Sequence, residues 1–197
     1  MENGKPQEKK PNWKETVMLY LHDAVYLMVT VLLLFLLVFR IIIVSGDSMR
    51  MTLVDGDYLL LLNNVFYHEP QNGDVVVISK KSFDNGAPIV KRVIATEGQT
   101  VDIDFELGNV YVDGVQLQET YINNLTLNNL GTGFPLVVED NCIFVLGDNR
   151  AVSRDSRDPS IGQVDKREVL GKVLVLFLPG TDKALTTRDF DRIGVIR

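Results

Sequence analysis

Residues 24–39 contain no charged side chain, and residues 41–44 carry the apolar run past Arg40, giving 21 residues with a single interruption. As a helix rising about 1.5 Å per residue, this run reaches roughly 31 Å, the hydrocarbon thickness of a bilayer, with Arg40 near enough to its end to snorkel. A single transmembrane helix is expected. The rival is a cleavable signal peptide, whose apolar core is usually shorter and ends in an Ala-x-Ala-like site. Ile43-Val44-Ser45 instead sets a large residue at the -3 position. Lys5, Lys9, Lys10 and Lys14 precede the run, while only Arg40 and Arg50 flank its far end. That asymmetry places the N-terminus in the cytoplasm and the rest of the chain outside. The expected organisation is a cytoplasmic tail (1–16), an anchor region (17–44) and an extracytoplasmic domain (45–197), held in the plasma membrane.

Charge restricts the partners of the outer domain. The chain carries 20 Lys plus Arg and 26 Asp plus Glu, a net -6; its first 44 residues hold five basic and four acidic side chains, leaving 15 against 22, or -7, for the remainder. This is the wrong sign for a phosphate backbone, so no nucleic-acid partner is expected. If the domain rests on the bilayer, its contact should be apolar rather than polybasic. Met49, Met51, Leu53 and Val54 are candidates, although core packing explains them equally well. Cys142 is the only cysteine and cannot form an internal disulfide, while His22 and His68 are too few for an ordinary zinc site. With no HExxH, P-loop or GxGxxG motif, neither metal nor cofactor is expected.

Beyond residue 45 the apolar runs are short, β-branched and separated by turn residues: 58–62, 75–78, 89–94, 110–112, 142–146 and 173–178. The pattern predicts a mainly β, antiparallel-sheet domain on one N-terminal transmembrane helix. Asp84-Asn85-Gly86 and Asp113-Gly114 tolerate positive φ and are expected to close hairpins. The last 17 residues hold a weak amphipathic helical pattern.

Three segments carry chemistry. Ser45-Gly46-Asp47-Ser48-Met49 sets a serine on a tight turn just past the membrane exit, suited to present a hydroxyl together with free backbone N–H groups, although most Gly-Asp-Ser triplets are plain surface turns. Neither histidine is well placed to act as its base. Lys91 stands within the apolar strand 89–94, on the same face as Ile89 and Val93, where desolvation would lower its pKa; a snorkelling, solvated lysine is the alternative. Residues 147–157, Gly-Asp-Asn-Arg-Ala-Val-Ser-Arg-Asp-Ser-Arg, form a loop dense in hydroxyls and opposite charges in which Asp155 and Arg157 can pair.

Together these segments resemble bacterial type I signal peptidases, the membrane-anchored Ser/Lys proteases that remove signal peptides from exported proteins. The resemblance covers nearly the whole chain. Ser45 to Leu53 matches the motif S-G-x-S-M-x-P-T-L except that Met51 replaces the proline, and Lys91-Arg92 with Gly98 matches K-R…P-G with Glu97 for the proline. Residues 147–157 followed by Gly162 and Val164 match G-D-N-R-x-x-S-x-D-S-R…G-x-V in full. The resemblance implies Ser48 as nucleophile and Lys91 as general base, with Ser153 hydrogen-bonded near the lysine amine and Asp155 and Arg157 in support. It also implies the Ser48 N–H as an oxyanion donor; where some members add a serine hydroxyl, this chain has Gly46. The expected partners are the lipid bilayer and secreted preproteins, cleaved after small residues at -1 and -3. Two other readings remain: a soluble self-cleaving repressor-type Ser/Lys protease, opposed by the apolar run, and a catalytically impaired, membrane-anchored assembly factor binding secreted or pilin-like precursors, suggested by Met51 and Glu97.

Overall fold

The computed structural model describes residues 12–181 and 187–196; the tail lysines Lys5, Lys9 and Lys10 lie outside them. The chain divides after Leu37 into two units. The first is built on α1 (Trp13–Val38), 26 residues or about 39 Å of helix. No glycine or proline interrupts it, and its start is closed by Glu15, whose carboxylate accepts the Asn12 N–H at 3.2 Å. None of its described side chains is buried, and leucines, valines and methionines are exposed all around it. A helix apolar on every face belongs in lipid or in a core.

The helix lies further toward the N-terminus than its apolar run suggested. Residues 39–43, expected as its last turns, form strand β1 (Phe39–Ile43) instead. The cause is a partner distant in sequence. Every residue of β1 pairs with β2 (Tyr58–Asn63), from Phe39 opposite Leu62 to Ile43 opposite Tyr58. An Ile-Ile-Ile run, stiff at χ1, fits that pleated surface better than it fits a helix.

The second unit holds the remaining strands: β3 (Val75–Ile78), β4 (Ile89–Thr96), β5 (Thr100–Asp104), β6 (Asn109–Val112), β7 (Val115–Gln116), β8 (Leu136–Val137), β9 (Cys142–Leu146), β10 (Val164–Asp165), β11 (Val169–Leu178) and β12 (Gly194–Val195). One sheet runs β1-β2-β11-β3-β4-β9-β10 with β12 alongside β11, and a smaller one runs β7-β6-β5-β8. All the pairings are antiparallel. The six strands expected from apolar runs are β2, β3, β4, β6, β9 and β11. Asp113 and Gly114, at φ 51 and 78, close the two-residue hairpin between β6 and β7. Residues 84–86 turn the chain between β3 and β4. Among the described residues of the C-terminal segment there is no α-helix, only a single helical turn at Phe190–Arg192 and β12.

Three apolar clusters fill the unit. One joins β2, β3 and β11 to Val44, Met49 and Leu53; a second lies between the two sheets, around Phe144, Leu146, Val101 and Val110; the third covers the opposite face of β3, β4 and β9. Met49 and Leu53 are therefore core residues, at 1% and 0% exposure, while Met51 is 65% exposed and Val54 half-buried. Of the apolar candidates for lipid contact, only Met51 stands clear of the protein.

Candidate active site

The loop between β1 and β2 carries Ser48 and is closed at its base by backbone. The Val44 N–H donates to the Asp57 carbonyl at 2.8 Å, and the Gly56 N–H returns a bond to Val44 at 2.9 Å. Within the loop, Leu53 donates to Met49 at 2.8 Å and Arg50 to Asp47 at 3.1 Å, so residues 47–53 coil into tight turns. Burial of the Met49 side chain immediately after Ser48 anchors that coil in the core. The Ser48 hydroxyl, half-buried, is left at the surface of a groove.

Strand β4 brings the second group. Lys91 is 2% exposed, and its Nζ donates to the Ser48 Oγ at 2.8 Å and to the Val90 carbonyl at 2.9 Å. Burial pushes its pKa down from 10.5 to about 8, against Asp155 and Asp148, which raise it; Arg157 adds a smaller lowering. That like charge comes from Arg157 rather than from the adjacent Arg92. Neighbouring residues of a strand project to opposite faces, and Arg92 is turned toward Asp148, to which it donates from Nε at 2.9 Å and from Nη2 at 2.8 Å. Asp148 in turn accepts the Thr52 hydroxyl, which ties β4, the serine loop and the start of the 147–157 loop together.

That third segment is held by buried charge. Arg157 pairs with Asp155 at 2.8 Å and donates to the carbonyls of Arg150 and Ser153, while Asp155 accepts the Gly147 N–H at 3.1 Å. Both members of the pair are fully buried, so removing either one would strand a charge. Ser153 is also buried, yet among the described residues its Oγ has no hydrogen-bond partner. The bond expected from it to the lysine amine is not formed; the hydroxyl lies against Gly147, where an added Cβ would approach it to 2.2 Å. Gly46 likewise offers no oxyanion donor. It has no hydroxyl, and its N–H is taken by the Asp55 carboxylate at 2.8 Å; its contribution is a φ of 88 that turns the chain before Ser48. Among the described residues the Ser48 N–H meets no acceptor.

The two departures from the family motifs have different surroundings. Met51 takes φ 93, a value closed to the proline ring that the motif puts there. Glu97 lies on the surface, accepting the Asn141 N–H at 2.8 Å and pairing with Lys166 at 3.3 Å. Of the histidines, His22 is in α1 and His68 in an exposed loop before β3. Sequence reasoning did not single out Thr52, Asp148 or Asn149. Thr52 is the threonine of the matched 45–53 motif and the other two sit in the matched 147–157 motif, which were the available signals for them.

The groove beside Ser48 has a volume of about 360 Å³ and is walled by Ile42, Val44, Met49, Ile89 and Val90. An apolar trough with a lysine-bonded serine at its rim suits acyl transfer on an extended peptide. Residues 17–178 match the family described as signal peptidase, peptidase S26. The chain belongs to that family. A signal peptidase I of Bacillus licheniformis is 30% identical over 181 residues, covering 88% of this chain and 95% of its relative. A probable signal peptidase I-1 of Synechocystis is 38% identical over 146 residues, 70% of each chain. Among solved structures, a signal peptidase I from Enterococcus faecalis shares 32% identity at a TM-score of 0.43, over 53% of this chain and 96% of that one. Membership in the signal peptidase family makes the chain a hydrolase that removes signal peptides, and α1 is long and apolar enough to anchor it in a membrane.

Proposed function

We propose that Ser48 attacks the scissile carbonyl of an exported preprotein with Lys91 as its general base, the Ser48 N–H receiving the negative charge that develops on the carbonyl oxygen. The observation that carries this reading is the 2.8 Å contact between the Lys91 Nζ and the Ser48 Oγ, made by a lysine buried enough to be partly neutral near pH 8. Neutral Lys91 takes the hydroxyl proton as the oxygen attacks, and the resulting ammonium returns it to the departing amine. Asp155 and Arg157 hold the loop that shields the lysine from water. The substrate lies extended in the groove, β1 at the end of its sheet offering backbone partners, and the shallow apolar walls admit small side chains at -1 and -3.

The lysine-rich N-terminus stays in the cytoplasm and the catalytic unit faces outward, in the cell membrane. The Ser48 to Lys91 contact also favours an active enzyme over an impaired assembly factor. The test is incubation of the detergent-solubilised protein with a preprotein whose signal ends in Ala-x-Ala, followed by N-terminal sequencing of the product. Cleavage after the last alanine is expected from the wild type and none from folded Ser48→Ala. Wild-type turnover by Ser48→Ala, or efficient cleavage after a leucine substituted at -1, would overturn the assignment.

A further inference from the structure

The 147–157 loop grips the serine turn through a side chain to which the mechanism above gives no role. Asn149 is 5% exposed. Its Nδ2 donates to the Asp47 carbonyl at 3.0 Å, and its backbone N–H donates to the Ser48 carbonyl, also at 3.0 Å. The Oδ1 accepts from the Asn123 Nδ2 at 3.4 Å, and Asn123 is itself tied by its N–H to the Asp148 carbonyl at 2.9 Å. A carbonyl can only accept, so the amide nitrogen must face Asp47.

The Asp47 carbonyl and the Ser48 N–H belong to one peptide unit. That unit is planar and trans, so its C=O and N–H point in opposite directions from a single rigid plate. Fixing the oxygen fixes the direction of the N–H. The Asn149 backbone bond holds the next plate, so both peptides flanking the Ser48 Cα are held from the same residue. Hydrogen bonds weaken steeply as their angle degrades, and a donor aimed before the reaction needs no reorganisation when charge develops. We infer that Asn149 is a positioning residue for the oxyanion hole, aiming the Ser48 N–H by holding the Asp47 carbonyl. The inference rests on the reading of Ser48 as nucleophile.

The test uses the full-length, detergent-solubilised protein with Asn149→Ala and with the isosteric Asn149→Asp, whose carboxylate cannot donate to a carbonyl at neutral pH. For each variant kcat should fall about 10- to 100-fold with KM within about twofold, because the oxyanion exists only beyond the ground state. In Asn149→Ala the pH at half-maximal kcat/KM should not move, since no charged neighbour of Lys91 is changed. A peptide boronate, which closes to a tetrahedral anion on a serine oxygen, should lose affinity by a similar factor, while the cleaved signal peptide binds as before. A merely structural role would weaken boronate and product peptide together, and that result overturns the inference. So does wild-type kcat in Asn149→Asp, which serves where Asn149→Ala does not fold. Activity in Ser48→Ala would sink the underlying reading; an inactive Ser48→Ala beside a fully active Asn149→Asp would sink this inference alone.

Discussion

Burial takes the Lys91 ammonium from 10.5 to about 8 although Asp155 and Asp148 pull the other way, and two pH effects of opposite use follow. In the proposed mechanism the neutral amine is the active form, so kcat/KM should rise with pH through an apparent pKa near 8 and level off above it. Lys91→Ala and Lys91→Arg should both be inactive, the latter because guanidinium stays protonated. In folding, the unfolded chain binds the lysine proton up to about pH 10.5 and the native chain only up to about 8, so between these values the unfolded state holds more protons and stability rises with pH. The penalty is present in full below pH 8 and amounts to about 3 kcal/mol. Lys91→Met should therefore gain about that much more stability at pH 7 than at pH 10.5 in urea unfolding. Equal gains at the two values would mean that Lys91 titrates as an exposed lysine. The desolvation behind this was legible in the sequence, in a lysine set on one strand face between Ile89 and Val93. The opposing and assisting charges were not, because Asp155 and Arg157 reach Lys91 through a loop more than 60 residues further along the chain.

Gly147 closes strand β9 where the serine loop and the 147–157 loop meet. A Cβ there would lie 2.2 Å from the Ser153 Oγ and 2.6 Å from the Ser48 carbonyl oxygen. Gly147→Ala cannot be absorbed by a rotamer change alone, since the second contact is backbone. It should cost about 1–3 kcal/mol of stability and displace Ser48 from Lys91, lowering kcat/KM by about 10-fold or more, as sub-ångström placement matters for reacting groups. Thermal unfolding and steady-state assay of the variant check both, and an unchanged rate would mean that the loops move together. Elements with a sharply bounded apolar run were readable in advance: β3 and β9 begin and end where their apolar runs do. The strand β1 was not, because Phe39-Arg40-Ile41-Ile42-Ile43 satisfies the apolar demand of a membrane helix as well as that of a strand. What decides between them is β2, which supplies the pairing partner from the far side of the serine loop. Short strands such as β7, β8 and β10 carry only two residues each, too few for any alternation to register.

On the scale of the whole molecule, the apolar clusters lie entirely within residues 42–196, whereas α1 has no buried side chain. The helix therefore adds little to the stability of the catalytic unit, and its use must lie in where it holds that unit. A signal peptide is itself an apolar segment that partitions into lipid. An enzyme tethered to the same bilayer meets its substrate within a thin layer, where the effective concentration is set by geometry rather than by the bulk solution. A chain beginning at Val38 should then keep its thermal unfolding midpoint and cleave a short water-soluble Ala-x-Ala peptide within about threefold of the full-length rate. Against a preprotein embedded in vesicles at the same bulk concentration, it should lose a factor on the order of 10². The net charge of -6 from Val38 onward, 16 Lys plus Arg against 22 Asp plus Glu, sharpens the contrast: without α1, vesicles rich in anionic lipid should slow the truncated chain further than neutral vesicles do, and added salt should reduce that difference. Equal rates for the full-length and truncated chains on the embedded preprotein would mean that the catalytic unit finds the membrane by its own surface, with Met51 the first residue to replace.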